Sequence, residues 1–147
     1  MSKEAFDREK SLGYLVNLAG RLIGRALDRR LAEHGVSLGQ FPLLLALWEE
    51  EGLTQSEIAR RLDIEQPTVA NTLKRMERDG LIAAAPDPLH ARRVLIRLTA
   101  RGRALEAALK AEALQINGKA AAQLSPQDLA DFRAALAKMI AALAQEG

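Results

Sequence analysis

The chain has 147 residues, of which 48% are apolar, so it is long enough to bury one real core and reads as a single compact protomer. Its 21 Lys and Arg stand against 19 Asp and Glu for a net charge of +2, and the distribution is uneven: residues 54–103 carry ten basic against six acidic side chains, while each flank has one more acid than base. Cysteine is absent, which excludes disulfides, thiolate metal sites and thiol-based redox chemistry. There is no signal peptide and no membrane-length apolar run, so a cytoplasmic location without membrane partners is expected.

In chain order, Leu12, Leu15, Val16, Ala19, Leu22, Ile23, Ala26 and Leu27 form a wide apolar stripe at helical spacing, closed by Gly35 and Val36. A second helix opens at Ser37 with Gln40 three residues on, or nearer Phe41 because Pro42 removes an early backbone bond, and runs through Trp48 to Gly52. Thr54 and Glu57 then make a T-x-x-E capping box, with Leu53 and Ile58 as a hydrophobic staple, so a short helix starts near Gln55. Ile58, Ala59 and Leu62 face inward while Arg60 and Arg61 stay in water. After the turn at 63–66, Pro67 suits the first turn of another helix, on which Val69, Leu73 and Met76 repeat at i, i+4 and i+7. The opposite face carries Pro67, Ala70, Asn71, Lys74, Arg75 and Arg78, with Thr68 at its margin, and Gly80 ends the helix. Two strands follow, 81–85 and 94–98, separated by a loop at 86–93 that contains Arg92 and Arg93. Thr99 caps an alanine-rich helix with Leu105, Leu109, Ala113, Ile116 and Ala120 on one side, and Ser125 starts the last.

Two short helices, a glycine turn and a basic hairpin in this order predict a mainly α fold, a winged helix-turn-helix over 37–98 with a small β-hairpin wing. Gln66, Thr68 and Asn71 are the base-reading candidates: Asn and Gln bond adenine through two atoms in the major groove, and a Thr methyl meets the thymine methyl. Lys74, Arg75 and Arg78, with Thr54 and Gln55, suit the backbone; Arg92 and Arg93 suit a minor groove, where A·T-rich segments concentrate negative potential. Taken singly, the pairs Arg60-Arg61 and Arg92-Arg93 also read as ordinary solvated charges. In the last helix Leu129, Phe132, Leu136, Met139 and Leu143 form a narrow heptad-like seam that wants a partner, inside the protomer or across a two-fold axis. No nucleophile elbow, phosphate-binding loop or metal signature points to an enzyme or a cofactor. The rival reading is a winged-helix module that binds protein.

The runs Leu53-Thr54-Gln55-Ser56-Glu57-Ile58-Ala59, Gln66-Pro67-Thr68-Val69, Arg78-Asp79-Gly80-Leu81-Ile82 and Leu98-Thr99-Ala100-Arg101-Gly102 resemble MarR-family transcriptional regulators, and the similarity extends over nearly the whole chain. The resemblance implies a homodimer on double-stranded, pseudo-palindromic DNA, with 8–34 and 99–147 as the dimerisation region and Leu12 and the last-helix seam at its contacts. It also implies release by a small aromatic or phenolic ligand, for which Tyr14, Leu15, Leu18, His34 and Trp48 are the candidate walls. The family wing carries Asp-x-Arg; this chain has His90-Ala91-Arg92, without the carboxylate that holds the arginine, a role for which Asp87 is the nearest substitute.

Overall fold

The computed structural model describes residues 5–146. A 3-10 turn, Arg8–Lys10, precedes α1 (Leu12–Ala32); α2 (Phe41–Glu49), α3 (Gln55–Leu62) and α4 (Gln66–Arg78) follow. An antiparallel hairpin of β1 (Ile82–Asp87) and β2 (His90–Leu98) leads to α5 (Ala100–Ala104), α6 (Glu106–Ala120) and α7 (Pro126–Ala144). The fold is mainly helical with one small sheet.

Local chemistry sets most of the boundaries. The hydroxyls of Ser11, Thr54, Thr99 and Ser125 each accept the backbone N–H three residues on, capping α1, α3, α5 and α7. Gly35 and Gly80 both take the left-handed conformation, and the following residue donates back across the helix end, Val36 N–H to Leu31 O at 3.1 Å and Leu81 N–H to Met76 O at 2.9 Å. Val36 and Leu81 are thereby tucked into the core.

Helix α2 begins at Phe41, not Ser37, because Pro42 can be accommodated only in a first turn. Residues 38–40 form a turn instead, and Gln40 folds inward: its amide oxygen accepts from Ser37 N–H at 3.1 Å and its NH₂ donates to Asp79 at 2.9 Å. The strands run farther than the sequence suggests, so Arg92 and Arg93 lie on β2 and only residues 88–89 form the tip. The helix expected after Thr99 is divided at Leu105, which keeps right-handed helical angles, donates its N–H to Arg101 O at 3.2 Å and accepts Leu109 N–H at 3.0 Å.

The core lies where α2, α3, α4 and the hairpin converge, around Leu44, Leu47, Leu53, Ile58, Val69 and Met76. Leu53 joins the sheet edge by a bridge to Ile96, with Ile96 N–H donating to Leu53 O at 2.8 Å. Glu51 locks this corner: it accepts Leu98 N–H and a forked pair of bonds from Arg103, and Arg103 holds its carboxyl below the usual carboxylate range. Helix α1 packs along α6, where Leu109 and Ile116 are buried. The wide stripe of α1 is covered only at its C-terminal end, by burial of Leu27 and Leu31; Leu12, Leu22 and Ile23 stay exposed. Helix α7 buries none of its residues, and Phe132 is 52% and Leu143 66% exposed.

Candidate nucleic-acid interface

Helices α3 and α4 meet at a turn set by Asp63, whose φ of 51° lets its N–H close α3 onto Ala59 and Arg60 carbonyls. Val69, Thr72, Leu73 and Met76 point inward from α4. Thr72 is the inward residue that the apolar periodicity missed; its hydroxyl donates to Thr68 O at 2.8 Å, which makes a buried threonine tolerable. The outward face carries Gln66, Pro67, Thr68, Asn71, Lys74, Arg75 and Arg78, all exposed, whereas Ala70 is half-buried. The spacing from Gln66 to Asn71 covers the first two turns, and the cations occupy the remainder, about 1.5 Å of rise per residue farther on.

The cations are not equivalent. Among the described residues Lys74 and Arg75 make no ion pair, whereas Arg78 pairs with Asp79 at 3.0 Å. Hydrogen bonding from Arg78, then from Gln40, holds the Asp79 carboxyl below its ordinary range. Arg78 is thus tied to its neighbour and less available than Lys74 or Arg75. Arg61 is likewise paired, with Glu50. At the other end of the face the Gln66 side-chain oxygen lies 3.5 Å from both Gln55 Nε2 and Ser56 Oγ, so the starts of α3 and α4 form one polar edge. Thr54 is half-buried with its hydroxyl engaged in the α3 cap, and Gln55 is half-buried beside it.

Arg92 and Arg93 close this edge. Together with Thr54, Gln55, Arg60 and Gln66 they line a shallow concavity between α3 and the wing. Arg93 donates to Glu57 Oε1 at 2.7 Å, an ion pair to which the sequence offered no clue because the partners are 36 positions apart. Asp87 does not hold a wing arginine: its carboxylate accepts Leu89 N–H at 2.9 Å and shapes the hairpin tip.

The five proposed ligand walls are not brought together within the protomer. Tyr14 stands in the first turn of α1, with Arg8 over its ring at 5.4 Å, whereas His34 lies beyond the other end of this 21-residue helix, roughly 30 Å away by helical rise. His34 sits 3.7 Å from Glu112, while Trp48 donates to Gly102 O at 3.0 Å and packs edge-on against Phe41. Trp48 is a strut between α2 and α5. An apolar groove lies instead between α1, α6 and α7, lined by Leu22, Ile23, Ile116, Leu124 and Phe132 among others.

An exposed, polar-to-basic second helix beside a basic hairpin defines a winged helix-turn-helix protein. A family model described as MarR family matches residues 34–93. The chain is 31% identical over 140 residues to the organic hydroperoxide resistance transcriptional regulator of Bacillus subtilis (strain 168), covering 94% of this chain and 92% of that protein. It is 39% identical over 110 residues to the HTH-type transcriptional regulator TtmR of Methylorubrum extorquens (strain PA1), covering 72% of this chain; the match spans 56% of that longer relative. A crystal structure of the S. aureus MepR–DNA complex superposes with a TM-score of 0.81 at 29% identity, over 93% of this chain and 99% of that one. The chain belongs to the MarR family.

Proposed function

We propose that this chain is a homodimeric, DNA-binding transcriptional repressor that reads a pseudo-palindromic duplex with α4 in the major groove and the wing in the adjacent minor groove. The observation that carries this reading is the outward face of α4: three base-reading side chains, Gln66, Thr68 and Asn71, followed by Lys74 and Arg75, which lack ion-pair partners among the described residues. Residues 37–98 form the reading unit in this account, and 8–34 with 99–147 form the dimerisation region.

Dimerisation is supported by what the protomer leaves uncovered. Leu12, Leu22, Phe132, Ile140 and Leu143 expose apolar surface on α1 and α7, and Leu129, Leu136 and Met139 are only half-buried. A second copy would cover these faces and present two α4 helices about one DNA turn apart, ~34 Å. A small aromatic acid would release DNA by binding the wrong spacing of the two α4 helices more tightly than the right one. With no cysteine, sensing by a thiol is not open to this chain. A cytoplasmic location fits the absence, among the described residues, of any helix long and apolar enough to cross a membrane.

Selection of duplexes from a random pool, followed by titration at several salt concentrations, tests the reading. An enriched inverted repeat bound with a steep salt slope is expected, since each neutralised phosphate contributes about −0.9 to the slope of log affinity against log salt. Sequence-blind binding with a flat slope would reject it in favour of a protein-binding module.

A further inference from the structure

The wing of this chain is irregular where it approaches α3. Neighbouring residues Pro86 and Asp87 on β1 face Val94 and His90 on β2, so Ala91, Arg92 and Arg93 form a bulge opposite nothing. Pro86 has no N–H to give a ladder, and bulges commonly re-aim side chains. A bulge with two adjacent arginines needs something to hold it, and Asp87 is engaged at the hairpin tip.

Glu57 supplies the hold. Its backbone N–H is bound to the Thr54 hydroxyl at 3.2 Å, which fixes where its side chain leaves α3. Its carboxylate reaches Arg93 at 2.7 Å rather than closing the second half of the capping box. Arg92, next to this clip, is exposed and makes no ion pair among the described residues. We infer that Glu57 and Arg93 are a positioning pair that fixes the wing bulge on α3, and that Arg92 is the cation so presented to the minor groove of DNA. The inference rests on the DNA-binding reading above and divides the two wing arginines between tether and contact.

The test exploits a conflict of signs. Removing an acid from a DNA-facing surface should strengthen binding by charge alone, so a weakening in E57Q isolates the positioning role. Glutamine at this third helical position still suits the cap, so the fold is retained and checked by the unfolding midpoint. On the duplex recovered from the random pool, E57Q and R93A should each bind roughly two- to fivefold more weakly, the range of an exposed ion pair. The double variant should bind no more weakly than R93A. Hydroxyl-radical protection of the minor groove beside each half-site should fade in E57Q and R92A, while α4 contacts in the major groove persist. E57Q binding as tightly as the wild type or tighter, or additive losses in the double variant, would overturn the pair. Failure of the wild-type protein to enrich any duplex would overturn the DNA reading and this inference with it, and is seen before any variant is made.

Discussion

Asn71 and Lys74 lie one turn apart on the same exposed face of α4, yet the proposed DNA reading gives them different roles. Asn71→Ala should cost ~1–3 kcal/mol and relax preference at one base pair, because a two-atom contact to a base edge is lost. Lys74→Ala should weaken all sequences alike and lower the salt slope by about one per protomer. Binding titrations against single-base variants of the selected site separate the two, and a reversed pattern would exchange the assignments. Gly102 illustrates a residue whose structural role its place in a motif does not explain. A Cβ there would meet Leu81 O at 2.2 Å, a backbone atom held in place by Thr99 N–H, and the Gly102 carbonyl also receives the Trp48 indole. Gly102→Ala should therefore destabilise by about 3 kcal/mol, at the upper end of overpacking, and chemical denaturation would show it as a lower midpoint. The family resemblance offered Trp48 as a ligand wall; it packs against the core and Phe41, and its contacts in α5 and α6 are ones that no local spacing encodes.

Helices whose ends carry their own chemistry were the legible elements. The Thr54 and Ser125 caps, Gly35 and Gly80 all act within a few residues of themselves, and α3, α7, α1 and α4 begin or end where those residues stand. The hairpin was less legible, because strand length depends on pairing across the wing: 86–93 has turn composition, yet most of it is drawn into the ladder or its bulge. The apolar seam of α7 was readable as a seam, but its partner was not. Since α7 buries none of its residues in the protomer, truncation before Leu129 should leave the unfolding midpoint of a dilute protomer little changed while abolishing the proposed dimer. Sedimentation over a range of concentrations checks this, and a truncated chain that still sediments as a dimer would remove α7 from the interface.

Across the whole molecule, two carboxylates link segments that lie far apart in the chain. Glu51 joins the turn before α3 to β2 and α5, and Asp79 joins the end of α4 to Gln40 ahead of α2. Both are held below their ordinary range in the folded state, chiefly by Arg103 and Arg78, so the unfolded chain binds protons on them first as pH falls. Their stabilisation is complete at neutral pH and should be lost progressively below about pH 4.5, as the pH falls through the unfolded and then the folded values. Unfolding midpoints from pH 7 to pH 3 should fall, and fall less steeply in Glu51→Gln and Asp79→Asn; equal slopes would show that other groups dominate. The sequence by itself determined the order of elements, the faces of α3 and α4 apart from Thr72 and Ala70, and the polar-to-basic gradient along α4, because periodicity and capping are local and repeat every few residues. Only the tertiary structure decided which charges are paired: among the described residues Lys74 and Arg75 make no ion pair, while Arg78, Arg93 and Arg103 are paired, Arg93 and Arg103 with acids far away in the chain. An ion pair is a matter of a few ångströms in space, and the chain order of its two members carries no trace of that distance.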